Sequence, residues 1–233
     1  PVSVEILASP ESGVAPLRVS FAPQTVTAGW TYQWSFGDGT PRVTGANVEH
    51  VFLAPGTYEV HLTGMDALRN EKQATPKTIT VESEQAFPKK ARLKLNFAGS
   101  VSAQGGSDDL QFTLVASDLV RTRQQAADAL RDGAYEGVTY TIKIGGQAVT
   151  SVILDRRASY KTKAVSFKYN LVKGEIDVRL KGFALAQLLG IARNDTPPQV
   201  TVPVELIGTN AGYRATFTLS YKTNGKTGSG ISR

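Results

Sequence analysis

The chain has no cysteine, two histidines (His50 and His61) and one methionine in 233 residues. Without cysteine it forms no disulfide, no thiolate–metal site and no cysteine nucleophile, so stability rests on core packing. Two histidines without a clustered carboxylate motif fall short of a zinc site. No apolar run approaches the ~18 residues of a membrane-spanning helix. Gly99–Gly106 and Gly145-Gly146 lack a P-loop lysine and its strand–helix context, and no nucleophile-elbow pattern occurs. These readings name no catalytic residue, no cofactor-binding residue and no metal ligand. They predict a protein that is not an enzyme, carries no cofactor and has no membrane span. Pro1 stands where a Met would begin a new chain and no signal peptide precedes it, so the sequence reads as a processed form or a fragment.

What is present reads as an all-β protein of two domains. Hydrophobic residues are 41% and charged residues 20% of the chain, ordinary for a globular protein. Val2, Val4 and Ile6 alternate with polar residues, and so do Leu17, Val19 and Phe21, then Tyr32, Trp34 and Phe36, then Tyr58, Val60 and Leu62. Such alternation marks half-buried strands, and turn signals every 8–12 residues favour a sandwich. Pro10–Pro16 reads as a turn-rich connection, and Ile79 and Val81 as the last strand of a domain spanning 1–83. Residues 84–90, with Pro88, read as a linker, 91–222 as a second and larger antiparallel β-sandwich, and 223–233, rich in Gly and Ser, as a flexible tail.

In the second region Leu93, Leu95 and Phe97 share a face, as do Leu110, Phe112 and Leu114. Ser117–Arg131 breaks the alternation, with Ser117 as the expected N-cap of a helix and Gly133 as its stop. Gly145-Gly146 predicts a two-residue hairpin loop. Phe183–Ile191 predicts a second short helix. Strands are expected around Val165–Tyr169, Ile176–Leu180, Val200–Ile207 and Tyr213–Tyr221. Asp108-Asp109, the one adjacent carboxylate pair, reads as a solvated turn. Arg156, Arg157, Lys161 and Lys163, with Tyr160 among them, read as a charged hairpin end, and nucleic acid is not an expected partner.

Tyr32-Gln33-Trp34-Ser35-Phe36-Gly37-Asp38-Gly39, then Glu49-His50-Val51-Phe52, then Ala54-Pro55-Gly56-Thr57-Tyr58 follow one another at a distinctive spacing. In these segments residues 1–83 resemble the PKD family, Ig-like β-sandwiches common in secreted and surface proteins. Ser35 departs from the family's usual Asp at an outward position. The physical roles expected of Tyr32, Trp34, Phe36, Gly37, Asp38, Gly39, Pro55, Gly56 and Tyr58 are structural. The aromatics fill the space between sheets, Gly37 and Gly39 permit a tight turn, Asp38 bonds backbone amides, and Pro55-Gly56 fits a type II turn. Tyr58 resembles the tyrosine that anchors a corner in Ig-like sandwiches. His50 falls where the family often carries one, and His61 is expected to face out. Some PKD domains bind calcium through acidic loops. Here residues 23–29 hold no carboxylate and the second loop holds only Asp66, too few for a cation wanting ~6–8 oxygens. Residues 90–233 resemble a β-rich domain of large bacterial surface proteins, with no residue roles carried over.

Net charge is +6 but uneven: residues 1–83 hold 5 Lys/Arg against 8 Asp/Glu, whereas residues 84–233 hold 21 against 12. The basic half could attract an anionic polysaccharide or an acidic neighbour, although scattered lysines also decorate ordinary solvent-facing strands. The resemblance implies a non-catalytic extracellular interaction or spacer module of a bacterial surface or secreted protein, with adhesion among the roles open to it. Its partner would be a protein or a polysaccharide at the cell surface. Two alternatives stand beside it. One is a structural subunit of an extracellular filament, sheath or surface layer, a homo-oligomer assembled through head-to-tail contacts. The other is an accessory region of a secreted protease or polysaccharide-degrading enzyme.

Overall fold

The alternating apolar residues build twenty strands and two α-helices in the computed structural model, which describes residues 5–97, 107–192, 195–224 and 226–232. The chain divides into two compact units: Pro1–Ser83 with Asn210–Gly212, and Glu84–Thr209 with Tyr213–Arg233. Val2, Val4 and Gly99–Gly106 lie outside the described residues.

Unit 1 contains β1 (Ile6–Ser9), β2 (Ser12–Val14), β3 (Leu17–Pro23), β4 (Thr31–Ser35), β5 (Val43–Thr44), β6 (Val48–Phe52), β7 (Gly56–Met65), β8 (Glu71–Gln73) and β9 (Lys77–Glu82). One sheet has the order β1-β3-β6, and the other β2-β9-β7-β4-β5 with β8 beside β7. Between them sit Val19, Phe21 and Phe52 from one side and Trp34, Val60, Leu62 and Ile79 from the other, all buried. Each such side chain contributes roughly 1.5–3 kcal/mol on leaving water. The Pro10–Pro16 connection is not all turn. Ser12–Val14 pairs in parallel with β9, so the chain crosses here from the first sheet to the second.

Unit 2 contains β10 (Glu84–Gln85), β11 (Phe87–Asn96), β12 (Asp108–Val115), α1 (Arg123–Arg131), β13 (Thr139–Ile144), β14 (Gln147–Ile153), β15 (Ser159–Lys161), β16 (Val165–Asn170), β17 (Glu175–Phe183), α2 (Leu185–Leu188), β18 (Gln199–Gly208), β19 (Gly212–Thr223) and β20 (Thr227–Ile231). The strands form one sheet in the order β14-β13-β18-β19-β20-β11-β12-β17-β16-β15, with β10 beside β19. The sheet folds over on itself. Phe112 of β12 meets Phe217 of β19 with ring centroids 5.7 Å apart, and Tyr140 of β13 stacks on Phe167 of β16 at 5.3 Å, although each pair is separated by intervening strands. The result is an antiparallel sandwich, and the all-β class holds for the chain.

Several local expectations change. The linker is absent: Glu84 and Gln85 pair with Tyr213 and Arg214, and β11 already begins at Phe87. Pro88 is tolerated because the ladder shifts register between Pro88 and Lys90, the kind of irregularity where a strand proline is found. The flexible tail is also overturned, since Thr227–Ile231 is a strand between β19 and β11. Its Gly228 and Gly230 point inward, and a Cβ on them would lie 1.9 Å from the Tyr221 hydroxyl and 3.0 Å from Leu219. These glycines make room in a core.

The helix after Ser117 starts later than expected. Ser117–Leu119 is a 3₁₀ turn, and α1 is capped by Thr122, whose side chain and that of Gln125 form a reciprocal capping box. Gly133 follows it at φ +72°. The second helix shrinks to Leu185–Leu188. Asp108 is no solvated turn residue. It is 4% exposed, and its two carboxylate oxygens accept the amides of Asn96 (2.8 Å) and Ala186 (3.0 Å). Gly145 and Gly146, at φ +59° and +81°, close the β13–β14 hairpin, as type I′ geometry requires.

Candidate functional surfaces

The nine signature residues are spread along β4, the turn that follows it and the start of β7 in unit 1, with Tyr32 opposite Gly64 near the far end of β7. Strand β4 turns Tyr32 and Trp34 inward, and Phe36 continues the same face just beyond it. The Tyr32 hydroxyl accepts the Thr27 amide at 2.9 Å, and Trp34 Nε1 donates to the Gly45 carbonyl at 2.8 Å. Gly37 has φ +75°, and a Cβ there would stand 2.7 Å from the Glu59 carbonyl oxygen. Asp38 Oδ1 accepts both the Thr40 amide (3.1 Å) and the Thr40 hydroxyl (2.6 Å). Its Oδ2 lies 2.6 Å from His50 Nε2. Burial works to raise the Asp38 pKa, but the bonds from Thr40 and His50 outweigh it and hold the carboxyl below its ordinary value.

His50 lies flat on Phe36, with ring centroids 3.9 Å apart, and edge-on to Phe52 at 4.8 Å. Phe52 in turn stacks on Tyr58, whose hydroxyl donates to the Ala54 carbonyl at 2.7 Å. Gly56 is not the left-handed residue of a type II turn. It opens β7 without a positive φ, and a Cβ would sit 3.3 Å from the Tyr58 ring. Glycine is needed there for space. An Asp–His pair is part of a hydrolytic triad, but no hydroxyl bonds to His50 among the described residues. His61 faces out, as its alternation predicts.

The outer face of unit 2 has a different character. Strand β11 alternates Ala91, Leu93 and Leu95 inward with Arg92 and Lys94 outward. Register places Arg92 opposite Gln111 and Gln111 opposite Arg179. The next row runs Lys222, Ser229, Lys94, Asp109, Lys181 across β19, β20, β11, β12 and β17. All five cations are exposed and have no ion-pair or hydrogen-bond partner among the described residues. A groove of ≈330 Å³ runs between Arg92, Lys94, Asp109, Gln111, Arg179 and Ser229. The sequence shows the basic half but not this grouping, because cross-strand register brings the residues together.

Residues 8–82 match the family model described as PKD domain. Over that range unit 1 is similar to PKD domains. No curated protein matches the chain. Among solved structures, carbohydrate-binding modules of the β-sandwich superfamily are similar at 14% identity and TM-score 0.33, covering 91% of this chain and 97% of theirs. Fibronectin(III)-like modules of Clostridium thermocellum CbhA are similar at 12% identity and TM-score 0.29, covering 91% and 92%. Murine CEACAM1b is similar at 12% identity and TM-score 0.26, covering 92% and 97%. At such scores no role passes from these proteins to this chain.

Unit 2 also gathers a carboxyl–tyrosine cluster that sequence reasoning missed. Strand β10 supplies Glu84, directly opposite Tyr213 in register, and the 3₁₀ turn supplies Ser117 and Asp118. Tyr213 donates to Asp118 Oδ2 at 2.8 Å, and Ser117 donates to Glu84 Oε1 at 3.2 Å. Burial first, then the neighbouring Asp118 charge, raises the Glu84 pKa. Burial pushes Tyr140 up to about 12, and it raises Tyr169 and Tyr213 as well. The tyrosines therefore stay protonated, and Tyr213 serves as a donor, not a base. Their separation in sequence leaves no local signal for the cluster.

The remaining sequence candidates have local roles. Arg156 and Arg157 sit in a turn closed by Asp155, which accepts the Arg157 and Ser159 amides, while Lys161 and Tyr160 lie on β15. Asp66 accepts the Leu68 and Asn70 amides and the Asn70 side chain. No group of three or more metal-ligating side chains occurs among the described residues, and none of their helices is long and apolar enough to cross a membrane.

Proposed function

We propose that the chain is a non-catalytic interaction module of a secreted or cell-surface protein. In this reading unit 1 serves as scaffold and spacer, and unit 2 presents the contact surface. The observation that carries the reading is the group of exposed, unpartnered cations on the outer face of β11, β17 and β19. Charged groups left without partners cost little in water and gain most when a partner of opposite sign arrives. Two features support the division of labour. The polar groups of the PKD signature are engaged within its own fold, and the family is common in extracellular proteins.

The test is retention of the purified chain on a panel of immobilised extracellular polymers and matrix proteins. Saturable binding is expected, lost in the double variant R92E/K94E. It should survive in D38N, assayed below that variant's melting temperature. Cleavage of a partner by the wild-type chain, abolished by a point substitution in unit 2, would overturn the reading. So would loss of binding in folded D38N but not in R92E/K94E.

A further inference from the structure

The contact surface assigned to unit 2 has a chemistry of its own, and on that reading we infer that its ligand is an anionic polysaccharide. The cations form a grid. Strands spaced ~4.8 Å apart put Lys94 and Lys181 roughly 10 Å from each other across β12, and a rise of ~3.4 Å per residue puts Arg92 and Lys94 about 7 Å apart along β11. A stiff chain with regularly spaced carboxylates or sulfates matches such a grid without having to order itself, and Arg92 and Arg179 can each hold an oxyanion through two parallel bonds.

The groups between the cations discriminate among polyanions. Gln111 stands between Arg92 and Arg179, while Ser229 and Asp109 flank Lys94. Together they offer both acceptors and donors, which suit sugar hydroxyls. Asp109 would oppose a polyphosphate, which has no donor to give it. No aromatic side chain lies within these two rows, so bases have no platform to stack on.

A second copy of the chain is the other source of negative charge, and four of the eight carboxylates of its acidic unit are already engaged. There Glu49 already pairs with Arg18, Glu11 with Lys77 and Asp38 with His50, while Asp66 is held by the Asn70 turn.

The experiment measures binding of the full chain to polygalacturonate, heparin, dextran, poly-L-glutamate and oligo-dT at matched ionic strength. Tight, salt-sensitive binding is expected for polygalacturonate or heparin, and their ratio reports whether carboxylate or sulfate is preferred. Each of R92S and R179S should weaken it about tenfold, the usual worth of a charge-assisted bond. R123S, at the start of α1, should leave it unchanged, and K94Q/K181Q repeats the test if R92S or R179S melts early. Equal or tighter binding of oligo-dT or poly-L-glutamate through Arg92 overturns the polysaccharide assignment while leaving the contact surface intact. Equal losses in R123S, or anionic-polymer binding indifferent to R92S and K94Q/K181Q, overturn the site itself.

Discussion

Asp108 and Asp109 are neighbours in the chain with opposite fates. Asp108 is buried and ties two backbone amides from separate segments, while Asp109 faces out and reaches the Gly182 amide only at 3.3 Å. The difference predicts unequal costs for the same substitution. Asn at 108 keeps one acceptor oxygen but turns an NH₂ toward the second amide, leaving a buried donor unsatisfied. That costs about 1–3 kcal/mol. Asn at 109 should fall within roughly 0.5 kcal/mol of wild type, as exposed substitutions usually do. Denaturant unfolding of D108N and D109N side by side checks this, and equal midpoints would sink the assignment. The pair misled sequence reasoning because two acidic residues together ordinarily mark a wet turn. Only the fold reveals two distant amides that need an acceptor.

At the scale of elements, β12 and β20 show what a sequence makes legible. Leu110, Phe112 and Leu114 alternate, and the strand is evident from that period. The inward positions of β20 are Gly228 and Gly230, which carry no hydropathy, so the same period is silent and the segment looks like a tail. Their lack of a side chain lets β20 sit against Tyr221 and Leu219. Gly228→Val should therefore overpack that corner and destabilise unit 2 by about 1–3 kcal/mol, lowering its melting temperature by about 2–4 °C for each kcal/mol. A Val substitution at the outward Ser229 should be tolerated. Calorimetry on both variants checks the orientation of the strand, and a stable G228V with an unstable S229V would reverse it. The surfaces divide along the same line. The PKD signature is legible because its residues are close in sequence and each does a local job in a strand or a turn. The Glu84–Asp118–Tyr213 cluster and the cation grid are not, since they arise from register between strands far apart in the chain.

At the scale of the whole molecule, charge sets the response to pH. Asp38, Asp66, Asp155 and Glu175 all have pKa values lowered in the folded chain. At Asp38 and Asp155 burial opposes the shift and hydrogen bonds overcome it, whereas at Asp66 and Glu175 hydrogen bonds from Asn70 and Lys89 lead. A carboxyl with a lowered folded pKa stabilises above its unfolded pKa, and this is lost as pH falls through the folded value. Glu84 has the opposite sign. Its folded pKa is raised, so the folded state holds its proton longer, and ionisation with rising pH removes stability. Acidification from neutral pH toward the ordinary glutamate range should thus relieve Glu84 and slightly stabilise unit 2. Below about pH 4 the four lowered carboxyls lose their charge, and the positive balance of an already basic chain grows. Melting temperature followed from pH 8 to pH 2 should show a shallow rise as Glu84 takes up its proton and then a steep fall below about pH 4. Glu84→Gln should flatten the upper limb and leave the acid limb in place, because the two limbs belong to different groups. A melting temperature at pH 3 equal to that at pH 7 would mean that the lowered carboxyls do not govern acid stability.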